Sequence, residues 1–178
     1  MIGSMVRDMQ ITVAPCDNET PVVEVNDTCV VAGSYIDLLV HVSDSTSKYV
    51  TLSATGEPFL VAHSPAQFAT ITDSVPYVTH FRWLTACSHV KLNPYEVSFK
   101  AKDNGPHVEL VSFKTLRIRI IAPAPENLNA FPQGNVIHLD WQPDHCSNAI
   151  GYDIYRRNGE DDFEPESKIG RASCRGRV

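Results

Sequence analysis

The sequence lacks the features of several large protein classes. No run approaches the roughly 18 apolar residues of a membrane-spanning helix, so we expect no membrane span in these 178 residues. The first ten residues have neither the basic start nor the apolar run of a signal peptide, which predicts that any export signal lies upstream of this fragment. Lys and Arg number 15 against 21 Asp and Glu. This acidic balance argues against a nucleic-acid partner, since such a partner requires a basic face.

Catalytic motifs are also missing. The sequence contains no G-x-S-x-G nucleophile elbow and no glycine-rich phosphate loop, because Gly56, Gly105 and Gly134 stand singly. The seven histidines are scattered, without a paired base or nucleophile. His41, for example, falls on the face of an alternating run where a solvent-facing residue is expected. The chain is therefore predicted not to be an enzyme.

The sequence does contain a series of short runs in which apolar and polar residues alternate. Each run is bounded by turn-forming residues such as Gly, Pro, Asn, Asp and Ser. The inward face of these runs carries Ile36, Leu38, Val40, Val42, Val50, Leu52, Tyr95, Val97, Phe99, Ala101, Leu116, Ile118 and Ile120. Seven such runs, over residues 22–25, 35–42, 49–53, 59–61, 77–84, 95–101 and 108–121, predict a Greek-key β-sandwich. Trp83 and Tyr77 are expected in its core rather than on a ligand platform.

Proline-bounded linkers divide the chain. Residues 1–16 are predicted to hold the last strand of a preceding domain, and residues 17–122 the sandwich. Prolines at positions 123 and 125 then stiffen a linker before a second unit over 123–167, with strands expected at 128–130, 136–141 and 150–156. The fold class is all-β, with tandem sandwiches of which the second is incomplete.

The last eleven residues break the pattern. The segment 168–178 turns abruptly basic and loses its alternation, and its IGRASCR block resembles the translation of a common sequencing adapter. We expect a non-native tail that includes Cys174, with the natural sequence ending near Ser167.

The residues from Pro125 onward, PENLNAFPQGNVIHLDWQPDHCSNAIGYDIYRR, resemble the start of a fibronectin type III domain. The likeness is carried by Pro125, Leu128, Trp141, Tyr152 and Tyr155. It implies Trp141 as the centre of the core, and Ile137 and Leu139 share its strand face. Because only about three strands are present, this unit is predicted not to fold alone and to leave Trp141 partly exposed.

The sandwich segment resembles cadherin-like and related immunoglobulin-like repeats. FKAKDNGP, at residues 99–106, is similar to the AxDxGxP region of cadherins, and DNETP, at residues 17–21, to their interdomain linker. The mid-domain acidic motif is absent. The resemblance implies calcium as the one candidate cofactor, held by Asp17, Asp44 and Asp103 at one pole of the sandwich. The alternative is that these are strand-end turn residues.

Five cysteines, Cys16, Cys29, Cys87, Cys146 and Cys174, are widely spaced. The absence of a CxxC pair argues against a structural zinc site, and the spacing fits a sparse disulfide framework in an exported protein. The alternative is free thiols in a cytosolic protein. Cys29 and Cys87 both lie inside the sandwich and are predicted to bond, which leaves Cys146 without a partner.

The blocks DTCVVAG, WLTACSHV, FKAKDNG, IAPAPENLNA and GYDIYRR together resemble large surface proteins of gliding motility and type IX secretion. The resemblance implies an extracellular or cell-surface structural or adhesive protein, whose partners are neighbouring repeats and surface proteins or glycans. One alternative is a set of accessory modules of a secreted hydrolase with its catalytic domain elsewhere. Another is a carbohydrate-binding module, which would need a row of exposed aromatics that the sequence does not show.

Overall fold

The computed structural model describes Met5 and residues 7–10, 17–105, 108–143 and 145–146. Within these ranges ten strands form three sheets, with two short 3₁₀ helices at Glu57–Phe59 and Cys87–His89. No helix among the described residues is long and apolar enough to cross a membrane. Met5 and residues 7–10 are not in a strand. The rest of the strand predicted before residue 16 lies outside the described residues, as do the strand at 150–156 and the tail.

The sandwich consists of a three-stranded and a five-stranded sheet. The smaller sheet has the order β1-β3-β6 and is antiparallel throughout, with strands Val22–Glu24, Tyr35–Ser43 and Tyr77–Leu84. The larger has the order β2-β8-β7-β4-β5, with strands Thr28–Val31, Val111–Ile121, Tyr95–Asp103, Tyr49–Gly56 and Ile71–Ser74.

The first part of the sandwich pairs with both sheets in turn. β1 pairs with β3 in the smaller sheet, and after residues 25–27 the chain pairs again as β2, parallel to β8 in the larger sheet. The other pairings within the larger sheet are antiparallel. Two face-to-face sheets with a first strand divided between them form an immunoglobulin-like sandwich, which confirms the predicted all-β fold class.

Period-two alternation positions the core. β7 buries Tyr95, Val97, Phe99 and Ala101 and directs Glu96 and Lys100 outward. Every other predicted inward residue is also buried, except Leu38, which is half-buried. Because successive strand side chains point to opposite faces, the apolar face of each strand meets the opposite sheet. Trp83 is 1% exposed and lies in this core, as predicted.

A two-stranded hairpin follows the sandwich. β9, Glu126–Gln133, and β10, Val136–Gln142, pair through a turn at Gly134, whose φ is +61°. Ile137 and Leu139 are exposed and Trp141 is half-buried. The strand face on which the resemblance placed a core therefore remains largely open to solvent among the described residues.

Candidate functional site

The pole of the sandwich where β3 and β7 end collects polar side chains. Asp103 ends β7 and is only 3% exposed. Its Oδ1 accepts hydrogen bonds from the backbone N–H groups of Gly105 (3.2 Å) and Leu110 (2.7 Å), and its Oδ2 accepts one from Asn18 Nδ2 (2.6 Å). A buried carboxylate with three N–H donors is well compensated for the loss of water.

Asn18 connects this carboxylate to the loop after β3. Its Oδ1 accepts hydrogen bonds from the hydroxyls of Thr46 (2.7 Å) and Ser47 (3.3 Å). Asp44 Oδ1 in turn accepts from the backbone N–H groups of Thr46 and Ser47, at 2.8 and 2.7 Å. Asp44 Oδ2 is buried and has no hydrogen-bond partner among the described atoms. The segment before β1 is therefore fastened to two loops by one amide side chain.

Of the three predicted calcium ligands, the structure places Asp44 and Asp103 at this pole. Asp17, next to Asn18, is exposed. Among the described residues the three carboxylates do not meet as a cluster; the one close group of three His, Cys, Asp or Glu side chains is Cys87, His145 and Cys146. The structure shows Asp103 bonded to N–H groups and Asp44 in a local turn. Calcium binding here stays a prediction.

The predicted pairing of Cys29 with Cys87 was wrong, although both cysteines are disulfide-bonded. Cys87 bonds to Cys146, with the two Cα atoms 5.1 Å apart, and Cys29 is disulfide-bonded to a cysteine other than these two. Cys29 lies on β2 in the five-stranded sheet, whereas Cys87 follows β6 of the three-stranded sheet. The positions of Cys29 and Cys87 in the sequence predicted that both belong to one sandwich. They could not indicate which two sulfur atoms lie close enough to form a bond. The bond also consumes the two thiols that a metal at His145 would need.

A buried histidine beside Trp83 was not identified from the sequence. His89 is 2% exposed, and its ring centroid lies 5.0 Å from that of Trp83. His89 Nδ1 accepts from the Ala86 N–H at 3.0 Å, and Nε2 donates to the His63 carbonyl at 2.7 Å. Both ring nitrogens are thus used to hold the turn after β6, which is a structural role.

The outer face of the three-stranded sheet mixes charge with exposed apolar side chains. His80 Nδ1 lies 2.5 Å from Asp37 Oδ1, and Arg82 Nε lies 3.3 Å from Asp37 Oδ2. The hydrogen bond with His80 lowers the pKa of the Asp37 carboxyl, and Arg82 adds to this effect. Around these charges stand Tyr35, Leu39, Val78 and Leu84, each about half exposed.

Comparison with known proteins adds little to this description. No protein-family model and no curated protein matches the chain. Among solved structures, the chain is similar to a chimeric titin Z1Z2 functionalized with an exogenous KLER peptide from decorin. The identity is 18%, the match covers 61% of this chain and 100% of that chain, and the TM-score is 0.36. At this score the similarity carries no argument, and the immunoglobulin-like assignment rests on the strand order and pairing.

Proposed function

We propose that this chain is part of a non-catalytic structural protein of the cell surface or extracellular space, in which sandwich modules act as mechanical spacers. The observation that carries the proposal is the Cys87–Cys146 disulfide. It joins the turn after β6 of the sandwich to the segment just after β10, across the proline-containing linker at residues 122–125. The resemblance to gliding-motility surface proteins favours the same role.

The position of this bond determines how a pulling force travels. A force applied at the two ends of the chain reaches Cys87 and passes through the disulfide to Cys146. Residues 88–145, which include β7 to β10, are then shielded from the load. A spacer benefits from this arrangement because the joint between the sandwich and the hairpin cannot be drawn apart.

The presence of two disulfide-bonded sites supports location outside the reducing cytosol. Besides the Cys87–Cys146 bond, Cys29 is also disulfide-bonded. Disulfides form and persist in secreted and cell-surface proteins, whereas cytosolic thiols are kept reduced. An extracellular or cell-surface location is therefore part of the proposal.

Single-molecule force spectroscopy of the full chain tests the spacer role. In the oxidised protein we expect the closed loop of 59 residues to stay hidden when the rest unfolds. Cys146→Ser should lengthen the fully stretched chain by about 200 Å, at roughly 3.5 Å per residue. A matched serine substitution at Ala124, in the linker, should not change the length. The spacer proposal fails if the oxidised joint extends before the sandwich unfolds.

A further inference from the structure

One edge of the three-stranded sheet is left open. β1 pairs only with the end of β3, from Val22 opposite Ser43 to Glu24 opposite His41. The chain then moves to the other sheet as β2. Among the described residues, Tyr35–Val40 of β3 have a strand partner only on the β6 side. In an antiparallel ladder alternate residues direct both N–H and C=O to the same side, so about three residues present unpaired groups at this edge.

The other edges of the sandwich are shorter, covered or interrupted by charge. Residues 111–117 of β8 also have no strand partner on the β2 side among the described residues, but they include Lys114 and Arg117, and the Arg117 N–H donates to Asp27 Oδ1 at 2.8 Å. β2 and β5 have only four residues each. The outer edge of β6 is met by Gln67, which exchanges two backbone hydrogen bonds with Arg82, and by Ser64 Oγ, which donates to the Leu84 carbonyl. Natural sheets blunt long edges with Pro, Lys or a covering loop. The open stretch of β3 reads YIDLLV and contains neither Pro nor Lys.

A groove runs beside this edge. It has a volume of about 640 Å³ and is lined by Glu24, Val25, Asn26, Leu38, Leu39, His41 and Lys114. Leu38 belongs to the inward series of β3 but is only half-buried, since nothing in the described part of the chain fills the space next to it. Lys114 belongs to the inward series of β8, yet it is exposed. Its ammonium group makes no hydrogen bond or ion pair with the described residues.

We propose that this groove binds an extended peptide segment of another protein, which adds an antiparallel strand to β3 and places one carboxylate on Lys114. The added strand would continue the line of β1, with alternate side chains entering the groove opposite Ile36, Leu38 and Val40. Those positions favour apolar residues because their neighbours on β3 are apolar. Main-chain pairing supplies affinity in this mode, and the pockets for alternate side chains supply specificity.

Charge in the groove limits the peptide to a small number of acidic residues. Lys114 offers one unpaired cation, whereas Glu24 in the same lining repels a second carboxylate. The predicted ligand therefore alternates apolar and polar residues and carries a single Asp or Glu on its inward side. An acidic peptide without alternation would lack the apolar contacts, and a basic one would meet Lys114.

Selection from a displayed library of random peptides of roughly eight residues tests the proposal on the full, oxidised chain. We expect enriched peptides with the alternating, singly acidic pattern. On binding, backbone amides within Tyr35–Val40 should become protected from hydrogen exchange. Lys114→Glu should weaken binding about fivefold or more. The matched control is Lys100→Glu, which makes the same change on the outer face of β7 and should leave binding unchanged.

Replacing the Asp or Glu of the selected peptide by Asn or Gln tests the contact with Lys114 without altering the protein. The amide peptide should bind the original chain more weakly and should lose its sensitivity to Lys114→Glu. The proposal is overturned if no peptide is enriched, if protection falls on β2 or β5, or if Lys114→Glu has no effect. It is also overturned if sedimentation shows that a second copy of the chain occupies the edge and protects the same amides.

Discussion

Tyr77 shows how a single side chain ties the two sheets together. It lies on β6 of the three-stranded sheet, and its hydroxyl donates to the Val50 carbonyl of β4 in the five-stranded sheet, at 3.1 Å. Burial, with a smaller contribution from the Asp73 carboxylate, raises the pKa of Tyr77 to about 12. The phenol is stabilised there in its protonated form, since ionisation would place a charge between the sheets.

This shift makes stability depend on pH in the alkaline range. The pKa in the folded state exceeds the ordinary value of 10.0, so the contribution of Tyr77 is fully present below pH 10 and is lost as pH rises toward 12. We expect phenolate absorbance to show a late transition that disappears in Tyr77→Phe. Burial also raises the pKa of Tyr95, so the variant is needed for the assignment. A late transition that remains unchanged in Tyr77→Phe would contradict this assignment.

Asp103 shows that the sequence around a carboxylate does not establish what the carboxylate binds. The resemblance of FKAKDNGP to a cadherin motif predicted that Asp103 binds calcium. In the structure, its carboxylate accepts hydrogen bonds from Asn18 and from two backbone N–H groups. The same carboxylate chemistry suits a cation or a set of N–H donors. Only the three-dimensional neighbours show which donors surround it, and Asn18 lies 85 residues away in sequence.

At the scale of elements, most strands follow from local alternation, and the two that were missed are short. β2, Thr28–Val31, has an intermediate or exposed side chain at every position, and β5, Ile71–Ser74, is mostly exposed. Neither has a strongly alternating pattern. They form because β8 and β4 present open edges to them, with four paired residues each. The predicted strand at 59–61 lies partly in a 3₁₀ helix instead.

Gly56 gives a prediction about the contact between β4 and β7. A Cβ atom at this position would lie 2.3 Å from the Glu96 carbonyl oxygen and 3.0 Å from the Val97 Cα, so two backbones meet where a methyl group cannot fit. We expect Gly56→Ala to lower the free energy of unfolding by about 2 kcal/mol or more, measured by urea denaturation.

Gly33 provides the matched control for Gly56. It also has a positive φ, +92°, but a Cβ there would meet nothing within 4 Å. Gly33→Ala should therefore show only the backbone strain of roughly 1 kcal/mol. Equal losses in the two variants would argue that strain, rather than the close approach of Glu96, explains Gly56.

At the scale of the whole molecule, the Cys87–Cys146 disulfide connects the sandwich with the segment after the hairpin. Closing a loop of 59 residues should stabilise the folded chain by about 4 kcal/mol in the chain-entropy model. We expect Cys146→Ser to lower the free energy of unfolding by this amount under oxidising conditions. Denaturant unfolding measures it directly.

Cys87→Ser is the control for this prediction. It should cost the same as Cys146→Ser, and the double variant should cost no more than either, because all three lack the same bond. Chemical reduction is less informative, since it also breaks the disulfide of Cys29. Unequal single variants would show that one cysteine contributes through packing, and Cys146 is the candidate because it is 2% exposed.

Alternation of apolar and polar residues was sufficient to predict the all-β class, most strand positions and the core. Period-two alternation is a local property, and burial of one strand face follows from it wherever a second sheet is present. Three features could be recognised only in the folded chain: the pairing of Cys87 with Cys146, the hydrogen bond between Asn18 and Asp103, and the crossing of the chain from β1 to β2. Each depends on which distant segments meet, and alternation does not encode that. The open edge at Tyr35–Val40 also could not be predicted from alternation, because it arises where the chain leaves the three-stranded sheet after β1.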